Sequence, residues 1–182
     1  MRSKKNGVVL WITGLSGAGK SSLALAVVER LRAKGDAVVM LDGDELREVF
    51  SSVVANATNH GRAGRLALAM QYARLCRLIA AQGFTVVIAT ISLFREVHRW
   101  NRAHLPGYFE VYLKVPMDEL RRRDPKGIYR RFDSGELTHV AGLDMMIDEP
   151  EAADWVVEFK PNRSVAELAE EWLNLLSQRG AL

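Results

Sequence analysis

A glycine-rich stretch near the N-terminus has the residue types and spacing of a phosphate-binding loop. Gly14 to Ser21 reads G-L-S-G-A-G-K-S and fits the pattern G-x-x-x-x-G-K-S/T. Glycines allow consecutive backbone N–H groups to turn toward an anion, and the start of a helix adds partial positive charge. In this pattern the lysine, Lys20, reaches the β- and γ-phosphates, and the Ser21 hydroxyl is a ligand for Mg²⁺. The motif therefore predicts a nucleoside triphosphate site.

Two other uses of such a loop compete with a kinase. The same letters also occur in strand-to-helix turns that bind no ligand. Guanine-reading proteins carry the string N-K-x-D, which this sequence lacks. The string D-x-x-G occurs from Asp124 to Gly127, but it follows a predicted helix instead of a strand end. The strand-loop-helix context, the short chain and the absence of a second module favour a small-molecule kinase.

Two carboxylates follow the second predicted strand. Asp42-Gly43-Asp44 ends that strand, and Arg47 lies beyond it. The carboxyl ends of parallel strands lie beside the phosphate loop in an α/β sheet. One of Asp42 and Asp44 is therefore expected to orient Mg²⁺ through a water molecule, and the other to accept the proton of the acceptor hydroxyl. The alternative role for Asp44 is to N-cap the helix that holds Arg47.

Residues 121–131 form a strongly basic stretch, with five arginines and one lysine against one aspartate. Such a run is usually a solvated helix face. Here Pro125 and Gly127 interrupt it, as a lid that closes over phosphates requires. Aromatic residues are not interleaved as stacking platforms, which argues against a nucleic acid polymer as a partner.

Predicted strands alternate with predicted helices along the chain. Apolar runs predict strands at 8–12, 37–41, 84–90, 109–115 and 155–159. Helical periodicity and capping signals predict helices at 21–34, 62–82, 93–104, 117–123 and 164–179. This alternation predicts a parallel sheet with helices on both faces. The least regular stretch, 124–150, is predicted to be a mobile lid, and 1–182 a single domain.

The composition excludes several classes of protein. The 182 residues are 48% hydrophobic and 26% charged with only 14 glycines and 5 prolines, which excludes disordered and collagen-like chains. The net charge of +3 suits an anionic ligand. A single cysteine, Cys76, excludes an internal disulfide and indicates a reducing, cytoplasmic location. The four histidines lack zinc-ligand spacing, and no apolar run is long enough for a signal peptide or a membrane span.

The motifs together resemble the adenylylsulfate kinase (APS kinase) family. Besides the phosphate loop, the matching segments are Asp42-Gly43-Asp44 with Arg47, Ile91-Ser92 with Phe94-Arg95, Arg123-Asp124-Pro125-Lys126-Gly127 with Tyr129, and Gly142-Leu143-Asp144. They occur in family order across most of the chain. The resemblance implies an α/β fold of the P-loop NTPase type, a three-layer sandwich with a mostly parallel five-stranded sheet and a mobile lid. It also implies a homodimer that uses ATP and Mg²⁺ to phosphorylate the ribose 3′-hydroxyl of adenylylsulfate.

The resemblance also assigns roles to residues. The expected catalytic residues are Lys20, Asp42, Asp44, Ser92 and Lys126. ATP is expected to contact Gly14, Ser16, Gly17, Ala18, Gly19, Lys20, Ser21, Ser22 and Arg123. The acceptor is expected to contact Asp44, Arg47, Arg65, Ile91, Ser92, Arg95, Lys126, Gly127 and Tyr129. Mg²⁺ is expected at Ser21, with Asp42 or Asp44 through water. Ser92 aligns with a serine often described as a phosphoserine intermediate, although direct in-line transfer needs none.

The sequence departs from the family where the acceptor base is expected. The family pattern D-R-x-x-N-x-R-R retains Arg65, but Leu68 replaces its asparagine and Met70-Gln71 its arginine pair. Val140 replaces an aromatic residue that stacks on adenine, and the family's G-F-S stretch has no counterpart between residues 50 and 60. Adenylylsulfate is the first candidate acceptor, and the alternative is cytidine diphosphoramidate, used in polysaccharide modification. A silent nucleotide-binding regulator is the third reading, opposed by the intact transfer residues.

Overall fold

The protein was examined as a computed structural model, which describes residues 7–50 and 61–180. The segment in which the G-F-S stretch has no counterpart lies outside these ranges. The strands are β1 (Val9–Thr13), β2 (Val38–Asp42), β3 (Thr85–Ala89), β4 (Phe109–Lys114) and β5 (Trp155–Glu158). The helices are α1 (Lys20–Ala33), α2 (Gly43–Val49), α3 (Arg62–Ala80), α4 (Arg95–His104), α5 (Met117–Arg123), α6 (Ile128–Asp133) and α7 (Val165–Gln178).

The five strands form one parallel sheet in the order β2-β3-β1-β4-β5. The central strand β1 pairs on both edges, with Trp11 opposite Ile88 of β3 and Glu110 of β4. All five residues of β1 are fully buried, which explains why its sequence is a continuous apolar run instead of an alternating one. The predicted parallel α/β sheet is confirmed.

Helices cover both faces of the sheet and make two apolar cores. One core joins α1 and α7 to the sheet through residues such as Leu23, Val27 and Trp172. The other joins α3 and α4 through residues such as Tyr72 and Val97. The three-layer prediction is therefore confirmed. No helix among the described residues is long and apolar enough to cross a bilayer.

The stretch 124–150 is more regular than the sequence analysis expected, because it contains helix α6. Asp124 makes this helix possible, since its two carboxylate oxygens accept hydrogen bonds from the backbone N–H groups of Tyr129 (3.2 Å) and Arg130 (3.0 Å). Asp124 itself adopts a positive φ of 23°, and Gly127, the N-cap of α6, adopts a φ of 63°. Lid motion of this stretch stays a prediction.

Ionic contacts hold the far end of the stretch 124–150. The Asp148 carboxylate accepts hydrogen bonds from Arg62 Nη2 at 2.7 Å and from the backbone N–H of Arg95 at 3.1 Å. Glu149 accepts one from Lys114 Nζ at 3.1 Å. The end of the stretch is therefore fixed to α3, α4 and β4. The neighbouring Met146 is 84% exposed.

Candidate active site

The phosphate loop connects β1 to α1, and its glycines have a conformational reason. Gly14, Gly17 and Gly19 have φ values of 151°, 78° and 98°, a region that L-residues rarely occupy. A Cβ on Gly14 would also lie 2.8 Å from the carbonyl oxygen of Leu113. The pattern of glycines is therefore required by the backbone of the loop.

Two side chains from outside the loop hold its carbonyl groups. The Tyr129 hydroxyl donates to the Ser16 carbonyl at 2.8 Å, and Arg123 Nη1 donates to the Gly17 carbonyl at 3.2 Å. Tyr129 is only 1% exposed, and burial raises the pKa of its hydroxyl to about 12, so it stays a donor at neutral pH. Tyr129, expected at the acceptor, thus contacts the phosphate loop in this structure.

Asp42 lies next to the phosphate loop and caps α2. The Ser21 hydroxyl donates to Asp42 Oδ2 at 2.5 Å, and Asp42 Oδ1 accepts from the backbone N–H of Asp44 at 2.8 Å. The N-cap of α2 is therefore Asp42, and the alternative capping role for Asp44 is wrong. A hydroxyl and a carboxylate are hard oxygen ligands of the kind Mg²⁺ uses beside substrate phosphates and water. Ser21 and Asp42 therefore fit Mg²⁺.

Asp44 faces the cleft with cationic partners. Its carboxylate makes ion pairs with Lys126 and with Arg47, the latter at 3.4 Å. Partial burial raises the pKa of Asp44, but the Lys126 hydrogen bond and charge, with Arg47 and Lys20, outweigh it and hold that pKa below its usual value. Asp44 is therefore ionised at neutral pH and able to accept a hydrogen bond from a hydroxyl.

Lys20 points its amine along the loop and donates from Nζ to the Leu15 carbonyl at 2.8 Å. Burial lowers the pKa of Lys20 to about 8, and the charge of Lys126 adds to that effect, against the opposing charges of Asp44 and Asp42. The negative charge of a bound triphosphate would raise the pKa of Lys20 again, and the amine would then be fully protonated.

ATP binding at pH 8 is therefore expected to take up about half a proton at Lys20, because triphosphate anions raise the pKa of an amine that is half deprotonated there. The direction is uptake, and affinity for ATP falls as the pH rises above about 8. Titration calorimetry at pH 8 in two buffers of different ionisation enthalpy measures the proton count. Lys20→Ala is the control, and an equal proton count in both proteins would contradict the assignment.

These groups line one cleft of about 690 Å³. The expected site residues that line it are Ser16, Gly17, Gly19, Lys20, Ser21, Ser22, Asp42, Asp44, Arg47, Arg65, Ile91, Arg123 and Lys126. Those that do not line it are Gly14, Ala18, Ser92, Arg95, Gly127 and Tyr129. The structure therefore brings most of the donor residues and most of the acceptor residues to a single cavity.

Ser92 and Arg95 do not line that cleft, but Ser92 lines a neighbouring cavity of about 40 Å³ that shares Arg47, Arg65 and Ile91 with it. Ser92 is 5% exposed, has a φ of 30°, and shares a 2.8 Å hydrogen bond with the Thr90 hydroxyl. Arg95 is exposed and pairs with Glu151 at 3.5 Å. Both residues keep their assigned roles only as predictions.

Several residues of the site were missed in the sequence. Asp144 accepts from the backbone N–H groups of His139 (2.7 Å) and Val140 (2.6 Å), and Arg65 Nη2 donates to the His139 carbonyl at 2.7 Å. This turn places Val140 in the wall of the cleft. Asp144 belongs to the matched motif Gly142-Leu143-Asp144, but the motif did not indicate what its side chain does.

The comparisons with known proteins agree with this geometry. The model of the adenylylsulphate kinase family matches residues 6–158. The chain belongs to the adenylylsulphate kinase family. Within this family it is 36% identical to the cytidine diphosphoramidate kinase of Campylobacter jejuni over 98% of this chain and 99% of that protein. It is 35% identical to a probable adenylyl-sulfate kinase of Bacillus subtilis over 96% and 86%.

A solved member of the adenylylsulphate kinase family has the same fold. The Mycobacterium tuberculosis APS kinase CysC, in complex with AMPPNP and APS, superposes with a TM-score of 0.85 at 33% identity, covering 94% of this chain and 98% of that one. The chain is accordingly a nucleotide kinase, a phosphotransferase of this family.

Proposed function

We propose that this protein transfers the γ-phosphoryl group of ATP to the ribose 3′-hydroxyl of a nucleotide acceptor. The observation that carries the proposal is the convergence of Lys20, Asp42, Asp44 and Lys126 on one cleft beside the phosphate loop. Lys20 and the loop carry the groups that would bind the triphosphate, and Asp44 and Arg47 line the same cleft. A donor and an acceptor therefore fit in the same cavity.

The proposed transfer is direct. The acceptor oxygen forms a bond to the γ-phosphorus while the bond from that phosphorus to the β,γ-bridging oxygen breaks, and ADP leaves. Asp44 accepts the proton of the hydroxyl and releases it to water. Lys20 and Lys126 stabilise the charge on the transferred group and on the leaving oxygen. Ser92 is not needed for this step.

Ser21 and Asp42 are the residues that would hold Mg²⁺ beside the phosphates. When bound, the ion supplies neutralisation of phosphate charge. Because Mg²⁺ keeps most of its ligands from water and substrate oxygens, one hydroxyl and one carboxylate suffice from the protein. The chain itself orders this pair, since the Ser21 hydroxyl already meets Asp42 Oδ2 at 2.5 Å.

The favoured acceptor class is a cytidine diphosphate derivative such as cytidine diphosphoramidate. Leu137, Val140 and Ala141 give the cleft an aliphatic stretch of wall. The aromatic that would stack on adenine, worth about 1–3 kcal/mol by analogy with nucleic-acid bases, is Val140. The Campylobacter jejuni relative that carries this acceptor in its name matches nearly end to end. The sequence analysis put adenylylsulfate first, whereas cytidine diphosphoramidate is now the preferred acceptor.

Adenylylsulfate is the second candidate, favoured by a different observation. Arg47 and Arg65 both line the cleft, and arginine forks suit sulfate and phosphate oxygens equally well. The Mycobacterium tuberculosis relative that is similar in fold was solved with APS bound. Homodimer formation, implied by the family resemblance, and a cytoplasmic location, indicated by the single cysteine, stay predictions.

A coupled ADP-release assay decides between the acceptors. Purified protein is given ATP, Mg²⁺ and, at equal concentration, cytidine diphosphoramidate, adenylylsulfate, CDP or ADP-ribose. We expect the highest kcat/KM with the cytidine diphosphoramidate. A kcat/KM for adenylylsulfate that is higher by orders of magnitude would overturn the cytidine assignment, but the protein would still be a kinase. If none of these compounds causes ADP release, the proposal of a nucleotide acceptor is overturned.

Val140→Phe should shift the ratio of the kcat/KM values toward adenylylsulfate, because it restores a stacking ring.

A further inference from the structure

Arg123 lies at the junction of the main cleft and a second cavity of about 120 Å³. Its guanidinium carbon lies 4.9 Å from the centre of the Phe159 ring, and Nη1 donates to the Gly17 carbonyl at 3.2 Å. One face and one edge of this guanidinium are therefore in use before any ligand binds. Its Nε points back toward its own helix, α5, and within residues 7–50 and 61–180 Nη2 makes no hydrogen bond, which leaves that group for a ligand.

Glu119 accepts the hydrogen bond from Arg123 Nε. Its Oε1 accepts from Arg123 Nε at 2.7 Å, one helical turn along α5. Oε1 and Oε2 also accept from Arg122 Nη2 at 2.8 Å and Nε at 2.7 Å. The Glu119 side chain is only 12% exposed, unlike the partner Arg122, which is 72% exposed. The carboxylate is therefore turned inward between two arginines.

We infer that Glu119 is a positioning residue for ATP, acting through Arg123. Arginine has a long stem with many rotamers, and a guanidinium fixed at Nε loses that freedom before the nucleotide arrives. Glu119 thereby keeps Arg123 on the Gly17 carbonyl and on the Phe159 ring. This inference rests on the proposed use of ATP, and it makes no demand on the identity of the acceptor.

The charge state of Glu119 is compatible with this role. Hydrogen bonds from Arg122 and then Arg123 lower the pKa of Glu119 to about 2, so the carboxylate stays ionised across the working pH range. The neighbouring Asp118 is an exposed residue on the same short helix. It offers a control that removes the same charge without touching the Arg123 guanidinium.

The test compares Glu119→Ala with Asp118→Ala. We expect Glu119→Ala to raise the KM and the Kd for ATP about tenfold, the cost of one charged hydrogen bond, while kcat and the acceptor KM stay within about twofold. Asp118→Ala should match the wild type. Glu119→Gln, which keeps an oxygen for Arg123 Nε, should fall between them. Equal ATP affinity in Glu119→Ala and Asp118→Ala would overturn the inference.

A double-variant cycle with Arg123 separates positioning from folding. If Glu119 acts through Arg123, then Glu119→Ala adds no further loss of ATP affinity in an Arg123→Ala background. Additive losses would overturn the inference. The affinity is measured by titration of a non-hydrolysable ATP analogue without acceptor, so failure of the acceptor assignment leaves this reading intact. Should Glu119→Ala not fold, Glu119→Gln carries the same comparison.

Discussion

Asp44→Asn is expected to lower kcat by about 10²- to 10⁴-fold while the affinity for ATP stays within a few-fold of the wild type. The amide keeps the size of the side chain and one oxygen for Lys126, but it cannot accept the proton of the acceptor hydroxyl. Steady-state ADP release at saturating ATP and acceptor measures kcat. Titration of an ATP analogue measures the affinity separately.

Glu45→Gln is the matched control for Asp44→Asn, because Glu45 is the next residue of α2 and is exposed to solvent. It removes the same charge without removing the carboxylate that pairs with Lys126. We expect wild-type turnover from it. If Asp44→Asn kept more than about a third of wild-type kcat, Asp44 would not be the proton acceptor.

Lys20→Ala is expected to lower kcat by about 10²- to 10³-fold, since the lost ammonium stabilises charge that develops on the transferred phosphoryl group. The free energy of unfolding should change little or rise, because burial of this amine already opposes its charged form, as its lowered pKa shows. Turnover and thermal unfolding of the same preparation measure the two effects.

Lys34→Ala is the matched control for Lys20→Ala, as Lys34 is exposed at the far end of α1. It should leave both turnover and unfolding unchanged. Near-wild-type kcat in Lys20→Ala would contradict the placement of the triphosphate on this loop. A large fall in stability with unchanged kcat per folded molecule would instead make Lys20 a structural residue.

The sequence was informative where local pattern and chemistry coincide. Apolar runs locate the buried strands because a parallel sheet is covered on both faces, and the strand-to-helix position of Gly14 to Ser21 makes a loop motif readable. The two aspartates were also located, but their roles were not separable. The structure separates them through partners distant in sequence, since Asp42 meets Ser21 and Asp44 meets Lys126, 82 residues away.

The features that were missed depend on tertiary contacts. Helix α6 follows a Pro-Lys-Gly string that looks like a break, and it forms because Asp124 binds its first N–H groups and the Tyr129 ring is buried. Ser92 is a motif serine that the resemblance places at the site, and its hydroxyl shares a hydrogen bond with the Thr90 hydroxyl. No periodicity or spacing in the sequence encodes such pairings.

The burial of Cys76 has a practical consequence for following the stretch 124–150. This thiol, the single cysteine of the chain, is fully buried within α3, and burial raises its pKa well above the usual range. Alkylating reagents attack the thiolate, so we expect the native protein to react little with maleimides. A cysteine introduced at the exposed Thr138 would then be the sole labelling position. A single fluorophore there would test in solution whether the stretch 124–150 moves, without any background substitution of the natural cysteine.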